Sequence, residues 1–187
     1  MKRLFVAALK EEVIELDFFH LTGVGKINAS HHLTKLVLEH KPDEVVNFGT
    51  AVALVKNISG LIECTQFYQR DMDARALMDL QLGETPFDSI HEIIFSKQGY
   101  SCGTEDNFVQ SKIEMNVDVV DMEAYALAKV CKLQNINFRC FKFISDSANE
   151  DAKNDWTTNC KKGSELFLEK AKSYSWVKQL IFFLTSV

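Results

Sequence analysis

The sequence predicts an α/β fold in which a largely parallel sheet is covered by helices on its faces. Three observations carry this. Continuous apolar runs of strand length occur at 4–9, 45–48 and 138–144, the pattern of strands buried on both faces. Helical periodicity fills the intervals, at 26–40 and 122–133. Finally, 187 residues of which 47% are hydrophobic and 25% charged are enough for a full core and fall in the size range of one domain. Residues 1–187 are therefore expected to form a single domain.

The first strand, Leu4 to Leu9, is followed at once by Lys10, Glu11 and Glu12. That apolar run is too short for a signal peptide. The turn Gly23-Val24-Gly25 then opens a helix from Lys26 to His40, whose apolar face is Ile27, Ala29, Leu33, Leu36 and Val37; Pro42 supplies its stop. After the strand Val45–Phe48 the pattern loosens. Residues 60–100 hold short apolar pieces, Leu61-Ile62 and Ile93-Ile94-Phe95, separated by polar and glycine-rich stretches, so antiparallel or edge strands with a loop are expected there. Met122 to Leu133 is an alanine-rich helix, with Asp121 as an N-cap candidate. Phe138 to Ile144 is the next central strand, and the apolar stretch from Trp176 to Val187 is expected to be a helix packed on the body or a partner contact. It is broken by Lys178 and Gln179 and falls far short of the roughly 20 residues of a membrane span.

Composition excludes several classes. A formal charge of -5 argues against a protein that binds nucleic acid through its phosphates, which needs clustered Lys and Arg. Cys64, Cys102, Cys131, Cys140 and Cys160 form no CxxC pair, so neither a zinc site nor a disulfide framework is expected. His31 and His32 diverge by about 100 degrees around their helix, and both are read as structural or exposed. Trp156 and Trp176 read as core or interface. No metal, organic cofactor, nucleic acid or membrane is expected, and the expected location is the cytoplasm.

The chemistry-bearing residues cluster at strand ends. Gly23-Val-Gly-Lys26 could cradle an anion on backbone N–H groups at a helix start, although by itself the pattern is more often a plain strand-to-helix turn. It is not a P-loop, because Ile27 stands where Ser or Thr would bind magnesium. Glu12, Glu123 and Asp146 each follow an apolar strand. In a parallel sheet such positions share one edge, where the groups of one reaction must meet. Each also has an ordinary reading, as a first-turn helix acid or a turn residue.

Four segments occur in order: Thr22-Gly-Val-Gly-Lys-Ile-Asn-Ala29, Lys41-Pro-Asp-Glu-Val-Val-Asn-Phe-Gly-Thr-Ala51, Val120-Asp-Met-Glu-Ala-Tyr-Ala-Leu-Ala128 and Ile144-Ser-Asp-Ser-Ala148. Together they resemble the nucleoside phosphorylase and nucleosidase superfamily, most nearly its methylthioadenosine/S-adenosylhomocysteine nucleosidases, whose opening motif is similar to Ala8-Leu-Lys-Glu-Glu-Val13. The resemblance implies a twisted, mixed central sheet flanked by helices, a homodimer, and a small-molecule nucleoside as ligand. It implies that Glu12 activates the attacking water and that Asp146 protonates purine N7. It also places Met122 and Glu123 at the ribose, Phe108 stacked on the base, Val109 at the base edge through its backbone, and Thr50, Ser145 and Lys142 around the substrate.

This division is coherent with the chemistry. Glycosidic cleavage passes through an oxocarbenium-like state that needs an acid for the leaving group and an activated water, so Asp146 must carry a proton while Glu12 stays ionised. The resemblance associates an acid at position 146 with a 6-aminopurine, and Leu9-Lys-Glu-Glu12 offers no arginine for phosphate. The expected reaction is hydrolysis of an adenine nucleoside to adenine and a ribose derivative. The alternatives are a phosphorylase or hydrolase of another purine nucleoside, or a non-catalytic nucleoside-binding homologue. Two departures from the family bear on the last: Thr50-Ala-Val-Ala53 replaces a Ser-Ala-Gly-Gly loop, and Lys142 stands where an arginine is usual.

Overall fold

A computed structural model describes residues 1–14, 19–107, 114–144 and 152–173, with 152–158 and 173 as backbone only. The expectations at Phe108, Val109, Ser145, Asp146 and the 176–187 tail lie outside the described residues, as do the two tryptophan side chains.

In chain order the elements are β1 (Arg3–Ala7), a single 3-10 turn (Lys10–Glu12), β2 (His20–Leu21), α1 (Lys26–His40), β3 (Glu44–Ala53), β4 (Gly60–Gln69), β5 (Glu92–Ile94), β6 (Tyr100–Thr104), β7 (Val119–Asp121), α2 (Ala124–Leu133), β8 (Asn137–Ile144) and α3 (Ala152–Ser173). The sheet runs β2-β1-β3-β7-β6-β4-β5, and β8 pairs with both β3 and β4. It is the twisted, mixed sheet that the resemblance implies. β1, β3 and β8 are parallel, as are β4, β6 and β7, but the two sets run against each other at the β4/β8 and β3/β7 seams. The ten residues of β3 make this possible: Glu44 to Ala51 pair with β8, and Val52 and Ala53 pair with β7. The sheet curls until its far side meets the end of β3.

Side-chain alternation along the strands produces two cores. Leu4, Val6, Val45, Phe138 and Cys140 face α1 and α2, where Ala29, Leu33, Val37, Leu127 and Cys131 complete one cluster. Phe5, Ala7, Val46, Phe48, Phe141 and Phe143 face α3 and pack on Phe167 and Ala171. The rings of Phe48 and Phe167 lie 5.0 Å apart, and Gly163 lets α3 lie directly on Phe143, whose ring a Cβ there would meet at 2.6 Å. α1 buries Ala29, Leu33 and Val37, one residue per turn, and leaves Ile27 pointing outward. Lys41 then ends it in the left-handed conformation, with φ 47° and its N–H on Val37 O, before Pro42.

Parallel pairs predominate, five of eight among the described strands, but the sheet is mixed, because alternation of strand and helix reports local order and not the sense of the long connections. The 60–100 region does hold antiparallel and edge pairing: β4 runs antiparallel to β5 and β8, and β5 ends the sheet beside β4, while β4 itself lies inside the sheet, parallel to β6 on its other side. The β4 register slips between Cys64 and Gln66, so the buried side chains run Ile62, Cys64, Phe67 and the two-residue period that marks a strand is broken.

Candidate active site

Glu12 closes the 3-10 turn that follows β1, and 6% of its surface is exposed. Four donors converge on its carboxylate. Oε2 accepts from the N–H groups of Ala8 and Leu9, each at 3.2 Å. Oε1 accepts from the Thr50 N–H at 3.1 Å and its hydroxyl at 3.2 Å. A short turn is required for this, since only a side chain folding back three or four residues reaches the N–H groups at the end of its own strand. The turn is pinned from behind by Ser164 of α3, whose hydroxyl accepts from the Ile14 N–H at 3.0 Å.

Across Gly49 lies Lys142. A Cβ at Gly49 would sit 3.2 Å from both Glu12 Oε1 and Lys142 Nζ, so the absence of a side chain there is what lets acid and ammonium face each other. Lys142 comes from β8 and is almost wholly buried. Its ammonium donates to Asp121 Oδ2 at 2.7 Å. Asp121 also accepts from the Thr104 hydroxyl at 2.6 Å, the Ala124 N–H at 2.9 Å and the Cys102 thiol at 3.5 Å. Burial works against Asp121, but the Lys142 charge and these hydrogen bonds outweigh it and hold its carboxyl below the usual range. Lys142 is correspondingly held above its own despite burial. The pair is charged.

Glu123 sits at the N-cap of α2, and its Oε1 accepts from the Gly25 N–H at 3.0 Å. Next along the chain, the Lys26 N–H donates to Asp106 at 2.8 Å. The glycine turn does cradle anions, but they are the protein's own carboxylates. Gly25 has φ 86°, a conformation that glycine adopts without strain, which aims its N–H at the site. Burial first, then the negative charge of Asp121 and that of Glu12, push the Glu123 carboxyl up to about 7, against the opposing pull of Lys142 and the Gly25 N–H.

Glu12, Thr50, Glu123 and Lys142, read from sequence as site residues, are thus assembled in one place, with half-buried Met122 between Asp121 and Glu123. Glu12, Thr50 and Lys142 do meet toward the carboxyl ends of the parallel strands β1, β3 and β8, but Glu123 comes from outside that set. β7 runs antiparallel to β3, and the curl of the sheet brings Asp121 and Glu123 to the Gly49–Ala51 stretch. Gly49 and Thr104 carry no signal of a site role in the sequence, and Asp121 reads there only as a cap. It does accept an N–H of the first turn of α2, but its partnership with Lys142 spans two strands.

The family model of the phosphorylase superfamily matches residues 68–175. The chain belongs to the phosphorylase superfamily. Among curated proteins, this superfamily member is 27% identical over 176 residues to a 5'-methylthioadenosine/S-adenosylhomocysteine nucleosidase of Staphylococcus aureus, covering 80% of this chain and 73% of the relative. Among solved structures, a Helicobacter pylori nucleosidase mutant of that name, with 5'-methylthioadenosine in its active site, has a TM-score of 0.79 at 20% identity over 92% of this chain and 98% of the other. Futalosine hydrolase of the same organism has a TM-score of 0.75 at 22% identity, covering 87% and 92%. These structures share the fold of this superfamily member. Among its described residues no three His, Cys, Asp or Glu side chains are grouped to hold a metal ion, and no helix is long and apolar enough to cross a membrane.

Proposed function

We propose that this protein hydrolyses the N-glycosidic bond of an adenine nucleoside of the 5'-methylthioadenosine or S-adenosylhomocysteine type, releasing adenine and the ribose derivative. The observation that carries the reading is Glu12, oriented by four donors on the same side of the sheet as a second buried carboxylate, Glu123. Glu12 takes a proton from water as the water oxygen bonds to the ribose C1', and the bond from C1' to the purine breaks. Asp146 gives a proton to N7 so that the base leaves neutral. Glu123 accepts from a ribose hydroxyl, and its negative charge favours the positive charge that develops on the sugar. Met122 packs at the ribose, Phe108 stacks on the adenine, the Val109 backbone meets its edge, and Thr50 and Ser145 line the pocket.

Water as nucleophile is supported by what surrounds Glu12. Among the described residues the cation facing Glu12 is Lys142, and it is committed to Asp121, whereas phosphate recognition favours uncommitted, forked arginines. The N–H groups of Gly25 and Lys26, the other natural phosphate donors, are taken by Glu123 and Asp106.

The test is release of free adenine from a panel of nucleosides, with and without inorganic phosphate. Turnover is expected without phosphate and unchanged by it. Glu12→Gln and Asp146→Asn are expected to lower kcat by about 100-fold or more with the fold retained by circular dichroism. Full turnover in either variant removes the role given to that residue, and no release from any nucleoside removes the reading. The reading includes a homodimer and one domain over residues 1–187; sedimentation of the same preparation as a single-chain species would exclude the dimer.

A further inference from the structure

Asp121 ends β7 where the sheet turns over the site, and both of its oxygens are fully engaged. Oδ1 accepts from Thr104 and Cys102, and Oδ2 accepts from Lys142 Nζ and the Ala124 N–H. Its pair with Lys142 is excluded from solvent, with side-chain exposures of 1% and 2%. A buried ion pair gains little net stability over apolar groups of the same shape, so the pair needs another use. Two contacts indicate it. The ammonium faces Glu12 across Gly49, and Asp121 holds the first N–H of the helix that Glu123 caps. One carboxylate therefore stands between the cation beside Glu12 and the backbone that carries Glu123.

We propose that Asp121 is a positioning residue of this site: paired with Lys142, it sets the charge balance between Glu12 and Glu123 without touching the substrate. The proposal rests on the nucleosidase reading. Among the described residues, the groups that face Glu123 are Asp121 from β7, Lys142 from β8, Glu12 from the turn after β1 and the Gly25 N–H at the start of α1. Asp121 also feels Arg70 at the end of β4, and Lys142 feels Cys102 and Cys140. Burial is the largest influence on Glu123, and beyond it Asp121 and Lys142 act in opposite senses. Opposed shifts are a signature that damage to the fold does not imitate.

The experiment compares the pH dependence of kcat/KM for the full chain, Asp121→Asn and Lys142→Gln, together with titration of the Glu123 carboxyl carbon by nuclear magnetic resonance in protein without substrate. Asp121→Asn is expected to move the acid limb and the carboxyl titration to lower pH by roughly one unit, and Lys142→Gln to move both upward by a similar amount. Limbs that stay in place, or move the same way in both variants, overturn the proposal. If a single variant fails to fold, the double variant, neutral at both positions, is read instead: kcat at the optimum is expected to fall about tenfold or more while KM changes by less than about threefold. Full kcat in the double variant overturns the proposal equally. Absence of nucleoside hydrolysis by the unmodified chain would count against the nucleosidase reading alone, because the carboxyl titration reports on Asp121 and Lys142 without turnover.

Discussion

Glu123 is costly to ionise where it sits, 8% exposed and beside the negative charge of Asp121. Its carboxyl holds a proton more tightly in the folded protein than in the unfolded chain, so the stability it contributes is fully present below its ordinary value of 4.5. That contribution is lost as pH rises through about 7. The loss across this window is about 3 kcal/mol. Urea midpoints measured from pH 4.5 to 8 should therefore fall more steeply for the native protein than for Glu123→Gln, which has no proton to lose; identical slopes would remove burial as the cause. The cost is consistent with a site built to place negative charge near a cationic sugar and not for stability. At this scale the sequence placed Glu12 and Glu123 after buried strands, and the structure brings the two near one another. Sequence did not show how they are held. The donors on Glu12 are mostly backbone N–H groups, which every residue type carries, and Gly49 contributes by what it lacks.

Elements fix where those residues point. α3 seats the turn of Glu12 through the Ser164 hydroxyl, and α3 in turn rests on Phe143 at Gly163. Alanine at Gly163 would add about 1 kcal/mol of helix propensity, but its Cβ would meet Phe143 carbons at 2.6 and 2.7 Å, and overpacking of that kind costs about 1–3 kcal/mol, occasionally more. The clash wins. Gly163→Ala is expected to lower the thermal midpoint and, by lifting α3 from the turn of Glu12, to lower kcat; a raised midpoint would show that Phe143 can yield. α1, with its glycine start and proline stop, was legible to the residue, because caps and breakers are local chemistry. β4 was not, because its bulge breaks the alternation that marks a strand. The opposed directions of β7 and β3 were equally hidden, since no local pattern encodes the sense of a long connection. The family resemblance, and not periodicity, supplied the mixed sheet.

In the whole molecule β3 is the shared member: β1 and β8 flank its first half, β7 joins its end, and both cores draw side chains from it. The backbone N–H groups of Val45 to Ala51 should therefore exchange with solvent deuterium only on global opening, more slowly than those of β2 or β5 at the margins. Equal protection of β3 and β5 would contradict this ranking. Thr50 lies inside that protected stretch and donates twice to Glu12. The base of the proposed reaction is thus fastened to the part of the molecule that opens last, and partial unfolding at the margins, under heat or proteolysis, would leave its setting intact until the protein is lost altogether.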